Sequence, residues 1–123
     1  MARVLIVDDD RDIRELVRLR LLRAGHEVLA AGDGPEAVAL VDAEGAPDLA
    51  VLDVSMPDMD GHELLAVLRE RPSFSGVPVV FLSAHADERD VAAARALGAD
   101  YVLKPFTADE LGRAVSAALG TQG

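Results

Sequence analysis

Five short apolar runs, separated by segments with helical spacing, are the feature that most constrains the fold of this chain. The runs are Val4–Val7, Leu49–Leu52, Val79–Leu82, Tyr101–Leu103 and the weaker, more edge-like Glu27–Ala31. Near-continuous apolar runs are typical of strands that are covered on both faces, as the strands of parallel sheets are. Because helical segments alternate with these runs, the pattern predicts an α/β fold with a doubly wound, five-stranded parallel sheet.

Residues that commonly begin and end helices lie between the apolar runs. Gly25 and Gly45 are placed to end the first and second helices. Asp60 precedes the third helix, and the sequence "TADE" opens the fifth with a capping box between Thr107 and Glu110. We therefore expect five helices whose boundaries are encoded locally.

The first and fourth helices have distinctive compositions. The first is predicted to bury one apolar stripe, which is formed by Ile13, Leu16, Val17, Leu21 and Ala24. The fourth is rich in alanine and is predicted from about Asp87 to Leu97, with Gly98 as its stop.

Length and charge narrow the classes of function. A chain of 123 residues is long enough for one domain and too short for two. Its 12 basic and 22 acidic residues give a net charge of -10, which argues against direct binding of nucleic acid. The sequence has no cysteine, no signal-peptide pattern and no apolar stretch of membrane-spanning length, so we expect a cytoplasmic protein.

Polar residues follow four of the five predicted strands. The triplet Asp8–Asp10 follows the first strand, Asp53 the third, Ser83 the fourth and Lys104 the fifth. Because the carboxyl ends of parallel strands share one edge of the sheet, we expect these side chains to converge there. This edge is also where open α/β sheets bind their ligands.

The mixture of groups at this edge indicates metal-assisted phosphoryl chemistry. Asp8, Asp9 and Asp53 would repel one another, which raises carboxylate pKa values unless a cation lies among them. Oxygen ligands of this kind suit Mg²⁺. An aspartate can also act as a nucleophile and form an acyl phosphate, while Lys104 and Ser83 can donate hydrogen bonds to phosphoryl oxygens.

Several other polar residues have simpler interpretations. Asp10 and Asp60 are interpreted as helix N-caps, and Asp58 as a solvated turn residue. His26 and His62 are interpreted as ordinary surface residues, neither of them placed to donate a phosphoryl group.

Four blocks of sequence resemble a known family in order and spacing over essentially the whole chain. The blocks "VLIVDDD", "LAVLDVSMPDMDG", "PVVFLSA" and "GADYVLKPF" are similar to the receiver domain of two-component response regulators. The resemblance implies a flavodoxin-like (βα)5 fold with the family's strand order 2-1-3-4-5. It implies a receiver domain over residues 1–119, with residues 120–123 as a tail or the start of a truncated linker.

The resemblance also implies a role for each residue of the metal site. Asp53 is expected to be the phosphoacceptor. Asp9 is expected to bind Mg²⁺ directly and Asp8 largely through water, while Asp53 and the backbone carbonyl of Ser55 complete the protein ligands. Mn²⁺ is expected to be able to substitute. Ser55 and His85 occupy the positions whose side chains tune the rate of dephosphorylation.

A second set of residues is implied to sense the phosphoryl group. The hydroxyl of Ser83 is expected to move to it, the ring of Tyr101 to swing inward as that hydroxyl moves, and Lys104 to bind a phosphoryl oxygen. The Lys104–Pro105 bond is a candidate cis peptide, because X-Pro bonds have little trans preference. The face formed by the fourth helix, fifth strand and fifth helix is then expected to repack.

The implied function is a signalling switch and not a conventional enzyme. The expected phosphodonor is a histidine kinase or a histidine phosphotransfer protein, and the expected readout is a downstream protein or a fused output domain. Self-phosphorylation from small donors with Mg²⁺, and autodephosphorylation, are expected. No membrane partner is expected, and the protein is expected to be a monomer or a weak, phosphorylation-dependent dimer.

Two other functions fit parts of the pattern. A phosphatase of the haloacid-dehalogenase type also uses Mg²⁺ and an aspartyl phosphate, but it typically needs a second Asp where this chain has Ser55. An adaptor that has lost the switch is disfavoured because the chain retains the acids, the hydroxyl and the lysine: Asp8, Asp9, Asp53, Ser83 and Lys104.

Overall fold

The computed structural model describes residues 2–84, 88–96 and 99–120, and they form alternating strands and helices. The strands are β1 (Arg3–Val7), β2 (Glu27–Ala31), β3 (Leu49–Asp53), β4 (Val79–Ser83) and β5 (Ala99–Leu103). The helices are α1 (Arg11–Arg23), α2 (Gly34–Glu44), α3 (Gly61–Arg69), α4 (Glu88–Ala96) and α5 (Ala108–Leu119), and a short 3-10 turn spans Pro72–Phe74.

The five strands form one parallel sheet in the order β2-β1-β3-β4-β5. The predicted doubly wound, flavodoxin-like fold is therefore confirmed. All five residues of β3 and all five of β4 are buried, as expected for central strands with helices on both faces. The register pairs Asp53 with Leu82 and Ser83 with Leu103, which brings the ends of β3, β4 and β5 to one edge.

Two apolar cores cover the two faces of the sheet, because alternate residues of each strand point to opposite faces. One core contains Leu52 and Phe81 with residues of α2, α3 and α4. The other contains Val51 and Leu82 with residues of α1 and α5, among them Leu111. The sheet is thus packed on both faces, and the helices leave its carboxyl edge at the end of the two cores.

The helix caps follow the sequence signals. The Asp10 side chain accepts hydrogen bonds from the backbone of Asp12 and Ile13 at the start of α1. Asp60 and Thr107 are N-caps of α3 and α5, each within a complete capping box. The predicted limits of α4 at Asp87, Leu97 and Gly98 lie outside the described residues.

The prediction of one buried stripe on α1 was wrong for two of its residues. Val17 and Leu21 are buried, but Leu16 is 58% exposed and Ala24, the C-cap, is also exposed. Val17 and Leu21 are four residues apart and so lie on the same side of the helix. Leu16 is the neighbour of Val17 in sequence and points away from that side. Leu19 and Leu22 are also exposed, so α1 presents leucine side chains to solvent.

Over the described ranges, none of the helices is long and apolar enough to cross a membrane.

Gly61 allows the N-terminus of α3 to pack against the end of β3. A Cβ at this position would lie 2.5 Å from the carbonyl oxygen of Asp53 and 3.1 Å from the Cα of Val54. The Gly61 amide also donates to the Val54 carbonyl over 3.0 Å. Only a residue without a side chain fits between the helix and the strand here.

We predict that Gly61→Ala lowers the free energy of unfolding by about 1–3 kcal/mol, because the overpacked methyl group must displace backbone. Gly76→Ala is the matched control, since a Cβ there meets no atom within 4 Å. It should change stability by less than about 1 kcal/mol in urea denaturation. Equal effects of the two substitutions would contradict the packing argument.

Candidate functional site

Three carboxylates lie together at the carboxyl edge of the sheet. Asp8 and Asp53 are buried, with 0% and 3% of their surface exposed, whereas Asp9 is exposed. Each offers one oxygen, and these oxygens all lie within 4.8 Å of one another. The burial of two acids follows from the sheet itself, because Asp8 directly follows β1 and Asp53 is the last residue of β3. The predicted convergence of these acids is confirmed.

Lys104 provides the positive charge of the site. It follows β5, and its Nζ atom lies 3.2 Å from Asp8 Oδ2 and 3.2 Å from Asp53 Oδ1. The Lys104 amide donates to the Ser83 carbonyl over 2.7 Å, which anchors the loop to the end of β4. The Lys104–Pro105 peptide bond is cis, as predicted. One ammonium group thus links the carboxyl ends of β1, β3 and β5.

Backbone donors orient the two buried carboxylates. The Asp10 amide donates to Asp8 Oδ1 over 2.9 Å, and the Ser55 amide donates to Asp53 Oδ1 over 3.3 Å. The guanidinium of Arg14 donates to the Asp8 carbonyl over 2.8 Å and so connects α1 to the loop after β1. The carboxylates are therefore held in place before any ligand arrives.

The surroundings of Asp53 make its ionised form costly. Burial, together with the nearby charge of Asp8, raises the pKa of Asp53 to about 6, although Lys104 opposes this rise. Burial by itself would lower the pKa of Lys104, but the charges of Asp8 and Asp53 outweigh it and raise that pKa. Near neutral pH the pocket thus holds more negative charge than one ammonium group balances.

The donor set fits a hard divalent cation. Three carboxylates with oxygens this close can bind Mg²⁺, which prefers oxygen ligands and keeps several of its waters. Such an ion would also relieve the repulsion between Asp8 and Asp53. The arrangement is the acidic triad that the sequence predicted.

Three of the remaining predicted residues belong to β4, β5 and the loop after β3. Ser83 is buried at the end of β4, and Ser55 is exposed in the loop after β3. Tyr101 lies within β5, two residues before Leu103, the partner of Ser83 in the sheet. His85 lies outside the described residues.

His62 is exposed, as the sequence predicted, but it also makes contacts that the sequence did not predict. Its Nε2 atom lies 3.0 Å from the Tyr101 hydroxyl, and its ring is 4.5 Å from that of Phe81. No sequence pattern within α3 predicts these contacts, because both partners lie on strands that are distant in sequence. His26, by contrast, accepts a hydrogen bond from the Ala2 amide, away from the carboxylates.

Comparison with known families gives one clear match. The pattern of the family described as "Response regulator receiver domain" matches residues 4–116. The match includes all the acids of the pocket as well as Ser83, Tyr101 and Lys104.

Individual relatives agree. The chain is 45% identical over 111 residues to the response regulator protein FleR of Pseudomonas aeruginosa, covering 89% of this chain and 23% of FleR. It is 42% identical to the DNA-binding response regulator MtrA of Mycolicibacterium smegmatis, covering 95% of this chain and 50% of MtrA. The chain therefore spans half or less of the length of these two relatives.

A solved structure with the same fold is the chemotaxis protein CheY4 of Vibrio cholerae. It superposes with a TM-score of 0.87 at 33% identity and covers 96% of this chain and 98% of CheY4.

The raised pKa of Asp53 predicts a pH-dependent stability. An acid whose pKa is higher in the folded protein than its unfolded value of about 3.9 destabilises the fold progressively as pH rises through that interval. Between about pH 4 and pH 7, without divalent cations, wild type should lose about 1–3 kcal/mol relative to Asp53→Asn. Urea denaturation at each pH measures this difference, and parallel stability curves would contradict it.

Proposed function

Because the chain belongs to the response regulator receiver domain family, we propose that it is a signalling switch controlled by phosphorylation of Asp53. A receiver is a signalling module and not a conventional enzyme. The observation that carries the proposal is the contact of Lys104 with both Asp8 and Asp53 beside Asp9. This pocket offers a nucleophilic carboxylate, ligands for a cation and a donor for phosphoryl oxygens.

In the proposed reaction, an Asp53 carboxylate oxygen attacks the phosphorus of a phosphohistidine or a small phosphodonor. The bond from phosphorus to the donor breaks as the acyl phosphate forms, and the donor leaves with its electron pair. Bound Mg²⁺ supplies neutralising charge for the transferring group. Asp9 would hold it directly, Asp8 largely through water, and Asp53 and the Ser55 carbonyl would complete the protein ligands.

Phosphorylation would redistribute the hydrogen bonds of Lys104 and Ser83. The ammonium group of Lys104, already 3.2 Å from Asp53, is placed to bind a phosphoryl oxygen there. The Ser83 hydroxyl would move to the same group, and this movement would favour the inward position of the Tyr101 ring. Repacking of α4, β5 and α5 would follow. Ser55 and His85 are proposed to set the rate of autodephosphorylation.

The partners are proposed from the family and from the surface of α1. The phosphodonor would be a histidine kinase or a histidine phosphotransfer protein. The exposed Leu16, Leu19 and Leu22 give α1 an apolar surface that suits docking of such a protein. MtrA is a DNA-binding response regulator, and a fused or separate output of that kind would read the switch here. We also propose a cytoplasmic location and a receiver domain over residues 1–119.

Incubation with acetyl phosphate and Mg²⁺, followed by intact-mass measurement, tests the proposal. Wild type should gain one phosphoryl group, and Asp53→Asn should gain none because the nucleophile is lost. Asp9→Asn should slow the reaction at least about tenfold, because charge neutralisation at the phosphoryl group is weakened. Mn²⁺ should support the reaction, and a chelator should stop it.

Asp58→Asn is the matched control, because Asp58 is an exposed turn residue with a positive φ that asparagine also tolerates. It should be phosphorylated at the wild-type rate. No adduct in the folded wild-type protein, or an equal adduct in Asp53→Asn, would contradict the proposed function.

A further inference from the structure

Three rings from α3, β4 and β5 form a cluster over one face of the sheet. The Phe81 ring lies 4.5 Å from the ring of His62 and 5.3 Å from that of Tyr101, between centroids. The His62 and Tyr101 centroids are 6.1 Å apart, and Nε2 of His62 is 3.0 Å from the Tyr101 hydroxyl. The exposed imidazole of His62 thus lies against Phe81 with one nitrogen facing the phenol.

The Tyr101 ring points toward the middle of the sheet. It starts from the edge strand β5, crosses Phe81 on β4 and reaches α3 with its hydroxyl. The neighbouring α3 residues Leu64 and Leu65 belong to the core that covers these strands. We use the word inward for this position of the ring, over Phe81 and toward α3. A cavity of about 220 Å³, lined by His62, Leu65, Phe81, Asp90, Ala94 and Tyr101, adjoins the ring.

Tyr101 and Ser83 share one face of the sheet. In the register of β4 and β5, Tyr101 is the partner of Phe81, and Ser83 lies two residues after Phe81 on the same strand. Residues two apart on a strand point to the same face. A movement of the Ser83 side chain would therefore take place on the face where the Tyr101 ring lies.

We propose that His62 is a positioning residue that holds Tyr101 inward through the hydrogen bond between its imidazole and the phenol. The inference rests on the proposed function, because it assigns His62 a role in the same switch. A contact that stabilises the inward position would favour the conformation that binds a phosphoryl group. By linkage, occupancy of the pocket strengthens the contact and the contact strengthens binding in the pocket by the same factor.

Binding of beryllium trifluoride, an analogue of the phosphoryl group, tests the coupling with Mg²⁺ present. Calorimetry would compare wild type, His62→Phe, Tyr101→Phe and the double variant. His62→Phe keeps a ring against Phe81 but removes the hydrogen bond, so it should weaken binding about 2- to 10-fold. In the Tyr101→Phe background, which has no hydroxyl, the same substitution should have no effect.

Tyrosine fluorescence gives a second readout that a merely structural role would not move. The sequence has one tyrosine and no tryptophan, so the emission reports on Tyr101 alone. His62→Phe should change the emission intensity and increase quenching by acrylamide, whereas His62→Gln, which keeps a hydrogen-bonding group, should restore part of both. His26→Gln, the matched loss of a histidine away from the pocket, should leave emission and beryllium trifluoride affinity unchanged.

Unchanged or tighter binding in His62→Phe would overturn the inference, as would an equal loss of affinity in both Tyr101 backgrounds. Unchanged Tyr101 fluorescence would do the same. Each of these results is compatible with a working switch at Asp53. If the wild type itself failed to bind beryllium trifluoride with Mg²⁺, the proposed function would fall first, and the role of His62 with it.

Discussion

The contact of one ammonium group with two buried carboxylates is the interaction on which the functional edge depends. The Nζ atom of Lys104 lies 3.2 Å from Oδ2 of Asp8 and 3.2 Å from Oδ1 of Asp53. Burial and mutual repulsion nevertheless leave the pKa of Asp53 raised to about 6. The charge of the Asp53 carboxylate can therefore be neutralised either by a proton or by a bound cation. The carboxylate charge that destabilises the fold here is the charge that would bind a metal ion and make Asp53 a nucleophile.

The rest of the fold keeps this unfavourable cluster together. The central strands β3 and β4 are buried along their whole length and fix the positions of Asp53 and Ser83. The absence of a side chain at Gly61 lets α3 pack directly against the Asp53 carbonyl. Two close-packed apolar cores hold the strands of the sheet in place. The carboxylates at the strand ends therefore cannot move apart, and their mutual repulsion persists in the native structure.

Sequence reasoning predicted most of this arrangement, for physical reasons. Strand ends at Asp53 and Lys104 are visible because apolar runs stop there, and parallel strands must share an edge. The caps Asp10, Asp60 and Thr107 are local signals and were confirmed. The exposure of Leu16 and the ring contacts of His62 were missed, because both depend on how a helix is rotated and packed against distant strands, which periodicity alone does not specify.

The central claim, that the carboxylate cluster is completed by a divalent cation, is tested most directly by calorimetric titration of Mg²⁺ at about pH 6 in buffers of different ionisation enthalpy. With the pKa of Asp53 at about 6, binding should release about half a proton per ion, because the metal displaces the proton that Asp53 carries. Asp53→Asn should bind more weakly and release none. Mg²⁺ binding without proton release, or equally strong in Asp53→Asn, would contradict the account.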